Sequence, residues 1–145
     1  PILTWTESMY KFNLKYVDKL DTILKNYSTA GCFKITNFEH WDLRDDNTKV
    51  NWPTTADKLK YVGWHYSGTF FWVNNKKLFS NSKWNDVDGL YNDPHRHGVE
   101  MYFGHVFNEI SGFEILTSNQ RHLYQQENWD YINKNEKKLI NPWLT

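Results

Sequence analysis

Apolar positions in the first thirty residues recur at Trp5, Met9, Phe12, Tyr16, Val17, Leu20, Ile23, Leu24 and Tyr27. Steps of three and four place these residues on one face of a helix. Thr4 followed by Glu7 has the capping-box pattern and predicts the helix start, and Asn13 is a point where the run can divide into two helices. Gly31 ends the segment, and "CFKITNF" alternates as a strand does. Residues 39–60 carry Pro53 and hold no sustained period, and a loop of that length is more often functional than idle. "TFFWV" then reads as a buried strand and "NNKKLF" as a short helix. A second loop, with Gly89 and Pro94, covers residues 81–95. In "HRHGVEMYFGHVFNEI", Val99, Phe103, Val106, Phe107 and Ile110 share a face and predict a helix. Gly112 precedes another strand, "FEILTS". The polar tail from Gln125 carries Trp129, Tyr131, Ile132, Leu139, Ile140 and Trp143, which predicts a C-terminal helix packing on the body.

The mixture of helices and strands is α/β, and such sheets place ligand-binding loops at strand ends. A chain of 145 residues fits one domain. Acidic and basic residues balance at 17 each, which argues against a generic nucleic-acid binder. No apolar run reaches the roughly 18 residues of a membrane span. Cys32 is the single cysteine, so no intrachain disulfide can form; a reducing, cytoplasmic setting is expected, with Cys32 packed in the core. Aromatic residues make up 18% of the chain, yet mean hydropathy is −0.78. Rings set among polar groups suit the apolar faces and hydroxyl edges of sugars; a core that happens to use rings explains the same composition.

Three groups carry candidate chemistry. In "HYSGTFFW", His65 and Ser67 offer hydrogen bonds to hydroxyls or phosphate, Gly68 lets a ligand approach the backbone, and Trp72 can stack. The plainer reading is a tight turn leading into a core strand. In "RHGVEMYFG", His97 and Glu100 share a helix face, and apolar neighbours can raise the Glu100 pKa as a general base requires. The plainer reading there is a solvated His–Glu pair. Metal ligands can be sought among His95, His97 and Glu100, between His105 and His122, among Asp42, Asp45 and Asp46, or in the Asp86–Asp88 pair. No HExxH, CxxC, phosphate loop, GxGxxG or GxSxG pattern is present.

"HYSGTFFW" resembles the H-[F/Y]-S-G-x-F-W segment of a group of bacterial and viral glycosyltransferases with GT-A-type, nucleotide-sugar-binding folds. Upstream, Trp5, Met9 and the Tyr27-to-Gly31 stretch are similar in order to that group's first helices and turn. Downstream, Arg96, Glu100, Tyr102 and Gly104 are similar to its Arg, Glu, aromatic and Gly. Thr69 departs from the Asn more usual there. The resemblance implies the later, acceptor-side portion of a GT-A-like domain, without the nucleotide-binding N-terminal half. It implies a nucleotide-sugar donor, a glycan acceptor and inverting transfer, with Glu100 as catalytic base. It also implies that His65, Tyr66, Ser67, Gly68, Trp72 and Arg96 bind substrate. A Mn²⁺ or Mg²⁺ ion would complete such a site, with His122 preferred to His105 as a protein ligand. Two other classes compete: a non-catalytic carbohydrate-binding module using exposed Trp platforms, and an interaction domain with aromatic-rich interfaces.

Overall fold

The computed structural model describes residues 2–36, 64–67, 70–86, 102–117, 123 and 125–145, with side chains from residue 6 onward. Helix α1 spans Ile2–Lys15 and α2 spans Leu20–Asn26, joined by a 3-10 turn at Val17–Lys19. The helical run therefore begins before Thr4, which lies inside α1 rather than at its cap. It divides at Tyr16, not at Asn13. Asn13 stays helical because its buried side chain donates to the Met9 carbonyl one turn back, at 2.9 Å.

Strand β1 covers Thr29–Gly31 and β2 covers Lys34–Ile35. Between them Cys32 and Phe33 form a bend, and both are buried rather than alternating. Phe33 has φ 57°, a left-handed conformation that a bulky L-residue adopts only when its surroundings impose it. Strand β3 is His65–Tyr66 and β4 is Phe71–Val73. Helix α3 follows at Asn75–Ser80, with the Asn74 side chain accepting from the Lys77 amide as an N-cap. Helix α4 is Tyr102–Val106, a 3-10 turn covers Glu109–Ser111, and β5 is Gly112–Glu114. The helical face expected to reach Ile110 stops at Phe107; Ile110 is 85% exposed. The tail forms α5 at Gln126–Lys134 and α6 at Glu136–Leu139.

Among the described residues the strands make two small sheets. One has the order β4-β1-β5, with β1 antiparallel to β4 and parallel to β5; the other pairs β2 with β3. Register aligns Ala30 with Trp72 and Phe113, and aligns Thr29 and Gly31 with Val73, Gly112, Phe71 and Glu114. Because side chains alternate along a strand, these two sets lie on opposite faces. Ala30, Phe113 and Trp72 join the larger core, with Met9 and Phe12 of α1, Ile23 of α2, and Trp129 and Ile132 of α5. On the opposite face β1 carries Thr29 and Gly31, and Phe71 and Val73 of β4 pack there against a second cluster of Trp64, Tyr66, Leu78, Phe103, Val106 and Phe107.

No helix among the described residues is long and apolar enough to cross a membrane. Cys32 is fully buried, and burial pushes its thiol well above its ordinary range, as befits a packing residue.

Candidate functional site

The β3 segment is held from both ends by aromatic packing onto glycines. A Cβ on Gly31 would lie 2.8 Å from the Tyr66 ring, and one on Gly112 would lie 2.6 Å from the Trp64 ring. A Cβ on Gly104 would lie 1.9 Å from the Trp64 carbonyl oxygen, so α4 crosses the backbone of this strand at a distance that only glycine permits. The Trp64 indole donates to the Phe107 carbonyl at 3.0 Å, and the Trp64 ring meets the Tyr66 ring edge to face.

Tyr66 is buried, with its hydroxyl donating to the Phe113 carbonyl at 3.0 Å and lying 3.1 Å from the Thr29 hydroxyl. Burial pushes its phenol far above the ordinary range. Its polar atom is engaged with the sheet, so Tyr66 acts on this region as a pillar between β1 and β5. His65 is also buried. Ser67 is the more accessible member of the segment, and its amide donates to the Phe33 carbonyl at 3.0 Å.

The structure does not bring Trp72 to this side. Trp72 packs in the larger core across the sheet, and its indole donates at 3.1 Å to the Asn13 carbonyl in the last turn of α1. That carbonyl has no partner within a helix so close to its end, and the indole satisfies it. Gly68, Arg96, Glu100 and His122 lie outside the described residues.

Glu114, at the carboxyl end of β5, is a chemically notable residue that sequence reasoning missed. Its Oε1 accepts the Lys34 amide at 2.9 Å, and it is hydrogen-bonded to Thr117. Burial pushes its carboxyl up from 4.5 to about 7, against the opposing pull of the Lys34 amide, the Lys34 charge and Thr117. The Lys34 ammonium is engaged elsewhere: it donates to the carbonyls of Glu109 and Gly112 at 2.7 and 3.0 Å and lies 5.2 Å from the Trp64 ring centre. Burial lowers the Lys34 pKa. The signal for Glu114 was present in "FEIL", a lone carboxylate inside an apolar strand-like run, the same cue that drew attention to Glu100.

Two candidate metal ligands do meet. His105 Nε2 lies 3.1 Å from Asp86 Oδ2 at the edge of α4. They supply one nitrogen and one oxygen, short of the oxygen-rich set that Mg²⁺ or Mn²⁺ prefers. No group of three His, Cys, Asp or Glu side chains fit to hold a metal occurs among the described residues. Beside this pair, Trp84 is exposed and packs edge to face on the exposed Phe79 at 5.4 Å.

Compared with known protein families, curated proteins and solved structures, the chain matches none.

Proposed function

We propose that this chain belongs to a glycosyltransferase that moves a sugar from a nucleotide-sugar donor to a glycan acceptor with inversion, and that it forms the acceptor-side part of a GT-A-like domain. The observation that carries the reading is the location of the "HYS" segment. Its Ser67 amide is tied to Phe33, two residues beyond the end of β1, and β1 runs parallel to β5. Open α/β sheets bind ligands outside the carboxyl ends of parallel strands. The recognition segment and the Glu114 carboxyl therefore share the edge where a substrate cleft is expected.

In the proposed reaction Glu100 takes the proton from the acceptor hydroxyl as its oxygen attacks the anomeric carbon, and the nucleoside diphosphate leaves from the opposite face. A sugar hydroxyl is a very weak acid, so a positioned carboxylate lowers the barrier at this step. Arg96 orients Glu100 or contacts phosphate; a tight Arg96–Glu100 pair would depress the base, so the two roles compete. Ser67 and Gly68 border the sugar, with Trp64, the buried His65 and Tyr66 fixing the segment that leads to them. Mn²⁺ or Mg²⁺, when bound, would offset charge on the leaving diphosphate. His122 would contribute to holding it, whereas the Asp86–His105 pair falls short of such a site.

The test is transfer of labelled sugar from a panel of nucleotide sugars to glycan acceptors. Glu100→Gln is expected to keep the fold and donor binding while slowing the chemical step by roughly 10²–10⁴-fold. Near-normal turnover in that variant removes Glu100 from the mechanism. The exposed Trp84–Phe79 pair beside Asp86 favours a second reading, a carbohydrate-binding module with these rings as its platform. Glycan binding that ignores nucleotide and Glu100 but disappears in Trp84→Ala would select it.

A further inference from the structure

The β1–β2 bend depends on hydrogen bonds to hold it. Phe33 sits at φ 57°, its amide donates to the Leu116 carbonyl at 2.7 Å, and its carbonyl accepts the Ser67 amide at 3.0 Å. The next residue, Lys34, gives its amide to Glu114 Oε1 at 2.9 Å and pairs across the small sheet with Tyr66. A short covalent and hydrogen-bonded path thus runs from the Glu114 carboxylate through Lys34 and Phe33 to Ser67.

We propose that Glu114 is a positioning residue for the His65–Ser67 segment, coupling its own ionisation to the order of that turn through the Phe33–Lys34 bend. The value of this coupling for sugar binding rests on the transferase reading; the coupling itself does not. A buried carboxylate gains hydration when the bend opens, so ionised Glu114 favours opening and neutral Glu114 favours the closed bend. Opening removes the acceptor of the Lys34 amide and frees Phe33 from its left-handed conformation, and Ser67 then loses its backbone partner.

Among the described residues, the charged and titratable groups around Glu114 are Lys34 on β2, Cys32 in the bend and Tyr66 on β3, with Glu109 beyond the Lys34 ammonium and His65 beside Tyr66. Burial moves Cys32 and Tyr66 upward, away from neutrality. Burial raises the Glu114 carboxyl to about 7, within the range where this coupling would act.

Amide hydrogen exchange at Ser67, expressed as protection relative to an unstructured chain at each pH, tests the coupling between about pH 5.5 and 8.5. Protection is expected to fall with rising pH by up to roughly 30-fold across this window, the part of the full linkage effect that falls within it. In Glu114→Gln, whose amide oxygen can still accept from Lys34, protection is expected to stay flat. An equal fall in that variant assigns the response to His65 or Lys34 and overturns the proposal. Flat protection in the parent also overturns it, as does protection of Ser67 equal at every pH to that of the slowest-exchanging β1 amides, because Ser67 then exchanges only by global unfolding. Carbon-13 titration of the Glu114 carboxyl in the parent protein is a check that needs no variant: a midpoint near 7 is expected, and one near 4.5 overturns the coupling. No readout uses transfer activity, so failure of the coupling and failure of the transferase reading are distinguishable.

Discussion

Glu114 and Glu136 are two carboxylates on which burial and partners reach opposite balances. For both, burial works upward. At Glu136 it is outweighed by hydrogen bonds from Lys15 and Lys11, and the net shift is downward. At Glu114 burial wins, and the carboxyl reaches about 7. A carboxyl whose folded value lies above its unfolded value of 4.5 makes the native state bind more protons between the two, so its stabilising effect is present below 4.5 and lost as pH rises through about 7. The expected loss is at most about 3 kcal/mol. Urea denaturation at pH 5 and pH 8 measures it, and Glu114→Gln is expected to remove this component. Glu136 has the opposite sign: its contribution is present above the unfolded carboxylate value and lost as pH falls through its lowered native value. Its lysine partners are about half exposed, so each pair is worth no more than about 1 kcal/mol. Sequence reasoning could see that Glu114 stands among apolar residues. It could not see that Lys34, distant in the chain, supplies a backbone amide while sending its charge to Glu109 and Gly112.

Helices and strands here meet at glycines and capping side chains, and these contacts set the sensitivity of each element. Gly104→Ala places a methyl group against the Trp64 backbone carbonyl, which cannot move aside as a side chain end can. A loss of about 3 kcal/mol or more is expected, the upper end of overpacking effects, with separation of α4 from β3 visible in thermal melts and near-ultraviolet dichroism of Trp64. Asn74 serves several partners: its side chain accepts from Lys77 and donates to the Leu24 carbonyl, its backbone amide donates to the Ser28 carbonyl, and its carbonyl accepts from the Leu78 amide. Asn74→Ala is expected to lower stability by about 1–2 kcal/mol, measured by urea denaturation, because it removes the cap and leaves the Leu24 acceptor unpaired. The short helix after β4 was legible from "NNKKLF", since an N-cap asparagine acts within its own turn. The division of the first helix at Tyr16 was not, because Asn13 resolves its polarity locally by bonding to Met9 and gives no cause for a break.

The small central sheet divides the molecule into two apolar clusters, and that division bears on the candidate site. Trp72 belongs to the cluster shared with α1, whereas Trp64 and Tyr66 belong to the cluster shared with α4. Trp72→Phe is therefore expected to cost roughly 1 kcal/mol of stability, from the lost bond to Asn13, and to leave glycan and donor affinity unchanged. Isothermal titration alongside denaturation separates the two effects, and a loss of affinity without loss of stability would return Trp72 to the site. What the sequence by itself determined were features that act over a few residues: the helical faces of the first and last segments, strands within "TFFWV" and at the start of "FEILTS", the short helix of "NNKKLF" and the burial of Cys32. These follow from periodicity and local hydrogen bonding, which neighbouring residues settle among themselves. Tertiary structure alone decided which face of the sheet each aromatic joins, why glycine stands at 31, 104 and 112, the left-handed Phe33 and the environment of Glu114. Each of these depends on residues brought together from distant parts of the chain. The desolvation of a carboxylate or the space beside a glycine exists only once those segments have packed.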